Sequence, residues 1–255
     1  MKKLIPAIGM TLLGAALLGT STYAWFSANK TVTATGMNLQ AKADSSLLIS
    51  SVENGTYSNT TLLYNDVSGA DGYLDPVKAT FASESYSFMR LKSEAKALVN
   101  DSGEFTGEKG DDGYPTAAYL EESNKYYHDE VFLKFEASVA QGSEAPTQTV
   151  EFSGIMKSAS SEQIFPAYRV ALVVDGAVVG DPISFSQLYV KDPDGTEHGR
   201  VSGTATITLT ANAPKKVEVY AWLDGKDSAC KNSNAIKGDA FTVDLSFTIP
   251  SSSAE

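Results

Sequence analysis

The run Asp192-Pro193-Asp194-Gly195-Thr196-Glu197 sets three carboxylates around a glycine turn. Hard cations such as calcium need several oxygens converging at short range, which makes Asp192, Asp194 and Glu197 the residues to bind one. The run lacks the later bidentate glutamate of an EF-hand frame, so its plainer reading is a solvated turn. Glu108, Asp111 and Asp112 form a looser acidic group of the same kind. No other metal or cofactor is expected.

Little else supports catalysis. The two histidines, His128 and His198, fall in polar, loop-like settings and read as exposed. Cys230 is the single cysteine, which rules out a disulfide within the chain and leaves a half-buried structural thiol or a link between chains. The sequence has no G-x-S-x-G elbow, H-E-x-x-H, C-x-x-C or phosphate loop. The expectation is a protein that is not an enzyme. Tyr114, Tyr119, Tyr126 and Tyr127, with Tyr220 and Trp222 on a strand, could line a carbohydrate platform. Core and cross-strand packing is the more general use of such aromatics.

The elements that would position these residues read as strands. In 241–249, Phe241, Val243, Leu245, Phe247 and Ile249 alternate with Thr242, Asp244, Ser246 and Thr248, giving one dry and one wet face. Segments 204–210, 131–139 and 216–223 repeat that alternation. In 167–180, Asp175-Gly176 joins two β-branched runs and suits a two-residue type I′ turn. Further strands are expected at 31–42, 46–52, 78–82 and 148–155, the first broken at Gly36 by a bulge or bend. Two segments, 85–101 and 115–127, roughly fit a helical period, and the polar, glycine-rich stretch between them reads as an exposed loop. The expected fold is therefore all-β, an antiparallel jelly-roll-like β-sandwich forming one domain over 25–255, with a small helical and loop insertion at 84–130.

The N-terminus carries an export signal. Lys2 and Lys3 precede an apolar run from Leu4 to Gly19, and Thr22-Tyr23-Ala24 offers small residues to a signal peptidase. Cleavage is expected between Ala24 and Trp25, so 1–24 is the signal peptide. The alternative, an uncleaved anchor, is weakened by Pro6, Gly9, Gly14 and Gly19. No cysteine follows the apolar run as a lipoprotein requires, and no early glutamate suggests a pilin. Removing 1–24 takes two lysines with it and moves the net charge from −11 to −13. An acidic surface of this kind repels nucleic acid and anionic lipid. Membrane contact is expected only before cleavage.

The segments TYAWFSANKTVTATGMNL and KGDAFTVDLSFTI resemble the TasA and camelysin group of exported proteins from Gram-positive bacteria, and VEVYAWLDGKDSAC is similar to clostridial proteins of this type. The resemblance covers the signal region and short stretches of the mature chain, and leaves 45–160 unmatched. It implies a dedicated signal peptidase, a jelly-roll sandwich and secretion to the biofilm matrix or cell surface. It further implies polymerisation into extracellular fibres, the freed N-terminal strand completing a neighbouring subunit. The implied partner is another copy of this chain, head to tail, or a related matrix subunit. Residues 25–35 suit that role: Trp25 or Phe26 would anchor, and Val32 and Ala34 would fill alternate positions. Pairing of 25–35 within its own subunit is the competing arrangement. The other function expected from the aromatics is a monomeric surface or matrix module that binds glycan or protein.

Overall fold

The structure, a computed structural model, describes residues 38–43, 47–58, 60–64, 74–100, 104–158, 167–191, 197–202, 205–227, 230 and 241–250. It contains β1 (Asn38–Ala43), β2 (Leu47–Ser50), β3 (Thr60–Tyr64), β4 (Pro76–Ala82), β5 (Ser85–Leu91), β6 (Leu120–Glu122), β7 (Tyr127–Phe135) and β8 (Thr147–Ser158). The second half supplies β9 (Tyr168–Val174), β10 (Ala177–Val178), β11 (Ile183–Lys191), β12 (Glu197–Ser202), β13 (Ala205–Thr210), β14 (Lys215–Asp224) and β15 (Phe241–Thr248).

Two layers face each other. One runs β2-β7-β14-β9-β11 and the other β3-β1-β15-β8, with β13 and β12 sharing the far side of β8. Strand β11 passes from β9 to β12 and its register shifts between Phe185 and Tyr189, which lets one strand serve both layers. The inner faces form the main core: Leu47 and Ile49 of β2, Val131 and Leu133 of β7, and Val217 and Val219 of β14 meet Val150 and Phe152 of β8, Ile207 and Leu209 of β13, and Leu245 and Phe247 of β15. Each such side chain contributes about 1.5–3 kcal/mol on burial. The alternation is realised in β13, with Ala205, Ile207 and Leu209 buried and Thr206, Thr208 and Thr210 exposed, and in β15 Leu245 and Phe247 are buried.

The fold is all-β, as the sequence implies, but its sheets are mixed. β1 pairs with β15 in parallel, and β14 pairs with β4 in parallel. Each pair is joined by a long stretch of chain, so neither needs the tight reversal that makes sequential strands antiparallel. The Asp175-Gly176 hairpin is present between β9 and β10, with φ of 52° and 75° at its centres. This positive φ at both positions is what the type I′ turn requires.

The expected helices are absent among the described residues. Residues 85–101 give β5 followed by a short 3-10 turn at Glu94–Leu98, and 115–127 give another at Ala117–Tyr119, then β6 and the start of β7. Phe88 and Leu91, placed on one helical face by spacing, lie instead in an antiparallel hairpin with β4. Tertiary burial overrides a weak local preference here. The stretch between them is not a simple exposed loop, since Phe105 is fully buried against Leu91, Ala95 and Leu120 in a small core of its own.

The β4–β5 hairpin covers the outer face of the β9–β14 pair. Val77 and Phe88 pack on Ala171, Val173, Tyr220 and Trp222, with Phe81, Tyr86 and Tyr126 at the margin. Ala171–Val173 of β9 and Val219–Leu223 of β14 are thus buried on both faces.

Candidate functional site

Of the residues expected to act, Ala24, Trp25, Phe26, Val32, Ala34, Asp192 and Asp194 lie outside the described residues. Glu197 opens β12, opposite Ser158 of β8 and Lys191 of β11. Asp112 of the looser acidic group is in an ion pair with Lys78 at 2.5 Å and accepts the Tyr114 backbone N–H at 3.0 Å. The bond from Lys78 holds its carboxyl below the ordinary range. This carboxylate ties the insertion to β4.

The aromatic platform does not exist as an open surface. Tyr127 is fully buried, and Tyr220 and Trp222 lie beneath the β4–β5 hairpin. Tyr126 stacks on Phe88 with ring centroids 4.1 Å apart, and the Tyr114 hydroxyl donates to Asp224. Tyr127 belongs to the main core, whereas Tyr126, Tyr220 and Trp222 pack the insertion onto the sheet, because a β-sheet with apolar residues on both faces must cover both.

Cys230 is fully buried rather than half-buried, and its thiol donates to the Asp224 carbonyl at 3.3 Å. Burial, then the neighbouring Asp227 and Asp224, push the thiol well above its usual range. A protonated, enclosed thiol is neither a nucleophile nor ready to link chains. Beside it, Arg169 reaches Asp227 at 2.9 Å and Asp224 at 3.3 Å, with all three side chains under one-fifth exposed. Together with Tyr114 and Lys226, which donates to the Asp112 carbonyl at 3.1 Å, this group joins β9, β14 and the insertion.

Neither histidine sits in a loop. His198 is in β12, opposite Lys157 and Val190. His128 is in β7, half-buried, with its ring stacked on Tyr220 at 4.3 Å and planes 20° apart. The β7–β14 register pairs Tyr220 with His128 and Glu218 with Glu130, so these four residues and Lys216 share the outer face. His128 Nε2 lies 3.4 Å from Glu218 Oε2. The Tyr220 hydroxyl donates to that same oxygen at 3.0 Å. Lys216 Nζ bridges Glu218 Oε1 at 2.7 Å and Glu130 Oε1 at 3.1 Å.

The electrostatics follow from these bonds. Burial raises the Glu218 carboxyl, but donation from Lys216 and Tyr220 outweighs it and holds Glu218 below its ordinary value. Bonds to Glu218 and Glu130 raise Lys216. Burial, then the Glu218 bond, raise the Tyr220 phenol. One ring nitrogen of His128 and one oxygen each from Glu130 and Glu218 lie within 4.8 Å of one another. Sequence reasoning missed this group. His128 and Glu130 stand two apart, as one strand face requires, but Glu218 joins them only through a register that no local signal specifies.

Among the described residues, no helix is long and apolar enough to cross a membrane. Comparison with family models, curated proteins and solved structures finds no match.

Proposed function

We propose that the protein is a secreted structural subunit that assembles outside the cell, residues 25–35 of one copy completing the sheet of the next. The observation that carries this reading is the sheet margin beside the N-terminal strand. Among the described residues, β1 is flanked by β15 on one side and by five-residue β3 on the other, and β3 pairs only with β1. An edge strand offers unpaired backbone donors and acceptors to an incoming strand. Residues 25–35 stop two residues short of β1 and carry Phe26, Ala28, Val32 and Ala34 in one alternating register. A head-to-tail contact of this type does not close, so it gives a filament. Signal cleavage between Ala24 and Trp25 would free the donor and start assembly.

The test is negative-stain electron microscopy of protein beginning at Trp25 beside protein beginning at Gly36. Filaments from the longer form alone support the reading, and compact monomers from both overturn it. The burial of Tyr127, Tyr220 and Trp222 counts against a glycan module built on these aromatics.

A further inference from the structure

The His128, Glu130 and Glu218 side chains converge on the outer face of the sandwich without any role in its main core. Their strands are fixed by seven consecutive β7–β14 pairings from Lys215↔Leu133 to Ala221↔Tyr127. The side chains are fixed as well: His128 by stacking on Tyr220, Glu218 by the Tyr220 hydroxyl. Two carboxylates would repel one another at this range, and Lys216 sits between them as a built-in counter-charge. A cation is therefore already accommodated here, by an ammonium on a long flexible stem that can swing away into solvent.

We propose that His128, Glu130 and Glu218 form a binding site for a borderline divalent transition metal of the zinc type, in which the metal replaces the Lys216 ammonium. The donor set, one imidazole and two carboxylates, is a zinc set rather than a calcium one, because calcium takes oxygen ligands. The geometry agrees. Tetrahedral zinc with bonds of about 2.0–2.1 Å sets neighbouring ligand atoms roughly 3.4 Å apart. His128 Nε2 and Glu218 Oε2 are already 3.4 Å apart. All three donors fall within 4.8 Å, so a rotation of the long Glu130 side chain completes the triangle. Three protein ligands leave a fourth position open to water or to a group from another molecule. The Tyr220 hydroxyl bonds the ligating carboxylate and orients it, as partners behind a metal ligand do. The acidic chain raises the local concentration of cations. The site stands whether or not residues 25–35 assemble the protein.

Lys216 makes the proposal sharply testable, since ligand loss and competitor loss must move affinity in opposite directions. The experiment is calorimetric titration of zinc chloride into protein beginning at Trp25, with His128→Ala, Glu218→Gln, Lys216→Met and His198→Ala beside it. The expected result is one saturable zinc per chain, weakened roughly tenfold or more by His128→Ala and by Glu218→Gln. Lys216→Met should tighten binding by about tenfold, because the competing charge is gone while the apolar stem is kept. His198→Ala should change nothing. Proton NMR of protein beginning at Gly36, which lacks the proposed assembly strand, gives a second readout that needs no substitution: zinc should shift the His128 ring resonances and leave those of His198 in place. Absence of saturable heat from both the unaltered protein and Lys216→Met overturns the proposal. So does zinc binding that survives His128→Ala or leaves the His128 ring unshifted.

Discussion

Replacing Phe88 by Ala asks what holds the insertion onto the sandwich. Phe88 is 2% exposed, and its ring centroid lies 4.1 Å from Tyr126, 5.6 Å from Trp222, 5.9 Å from Tyr86 and 6.3 Å from Tyr220. Truncating a buried Phe to Ala costs about 3–5 kcal/mol through lost transfer energy and the cavity left behind. The competing attachment is charged. Arg90 binds Asp75 and Glu121, both at 3.0 Å, but the three side chains are 33–38% exposed. Ion pairs that wet contribute about 0–1 kcal/mol each. Phe88→Ala should therefore cost several times more than Arg90→Met. For a chain of this size a kcal/mol moves Tm by about 2–4 °C, so Phe88→Ala should lower it by roughly 6–20 °C. Urea unfolding of both variants measures the difference. In a Trp25→Phe background, Trp222 is the only tryptophan, and its emission should shift to the red when Phe88 is lost. If Arg90→Met proves as damaging as Phe88→Ala and Trp222 emission does not move, then charge rather than burial holds the insertion, and the reasoning fails.

Other perturbations have definite signs. Arg169→Met leaves Asp224 and Asp227 side by side at 17–18% exposure and should cost about 2–3 kcal/mol in urea unfolding, below the ~3–5 of a fully buried pair. Glu218 has a depressed folded-state pKa, so its contribution is full above the unfolded carboxyl value near 4.5 and is lost as pH falls through the lower folded value. Glu218→Gln should flatten the acid limb of the urea midpoint against pH, and an unchanged limb would contradict the assignment. Cys230 should not react with a thiol reagent at pH 8 in the folded protein and should react promptly in guanidinium, because burial keeps it protonated. Gly142→Ala, at φ +80° with nothing near an added Cβ, should cost about 1 kcal/mol from backbone strain alone. Gly176→Ala should cost more in the same thermal assay, since at φ +75° its Cβ would also press on Glu84 at 2.9 Å.

What could be read from the chain depends on how local the signal is. The strict alternation in 204–210 and 241–249 predicts β13 and β15, and in β13 one face meets the core and the other meets water. Asp175-Gly176 predicts its hairpin because the sequence supplies the residue types that left-handed turns favour. The β4–β5 hairpin is the counter-example. Its turn residues, Ser83 and Glu84, take φ of 51° and 67° without a glycine or asparagine to announce them. Left-handed backbone at such residues costs roughly 1–2 kcal/mol each, a cost that the aromatic packing of Phe81, Tyr86 and Phe88 over Trp222 helps to offset. With no turn signal, the spacing of Phe88 and Leu91 fits a helical period as well as a strand. Replacing Ser83 by Asn and Glu84 by Gly should raise stability by about 1–2 kcal/mol if that strain is real.

The same cause hid the two-faced sheet and the histidine group. Val170–Val174 and Val219–Leu223 are nearly continuous apolar runs rather than alternating ones, the mark of strands covered on both sides. By alternation alone Val217, Val219, Ala221 and Leu223 face inward, which puts Tyr220 and Trp222 on the opposite face. Once the hairpin covers them, the outer face of β14 divides in two: Trp222 and Tyr220 lie under the insertion, while Glu218 and Lys216 continue past its margin. Tyr220 spans the boundary, its ring packed on Tyr86 at 5.3 Å and on His128 at 4.3 Å, its hydroxyl on Glu218. The insertion and the polar group are therefore coupled through one side chain. Tyr220→Phe keeps the ring and removes only the hydroxyl, so it should leave Trp222 emission unchanged while weakening zinc binding. Loss of both together would mean that the hydroxyl maintains the packing, and that the two halves of this face are a single structural unit.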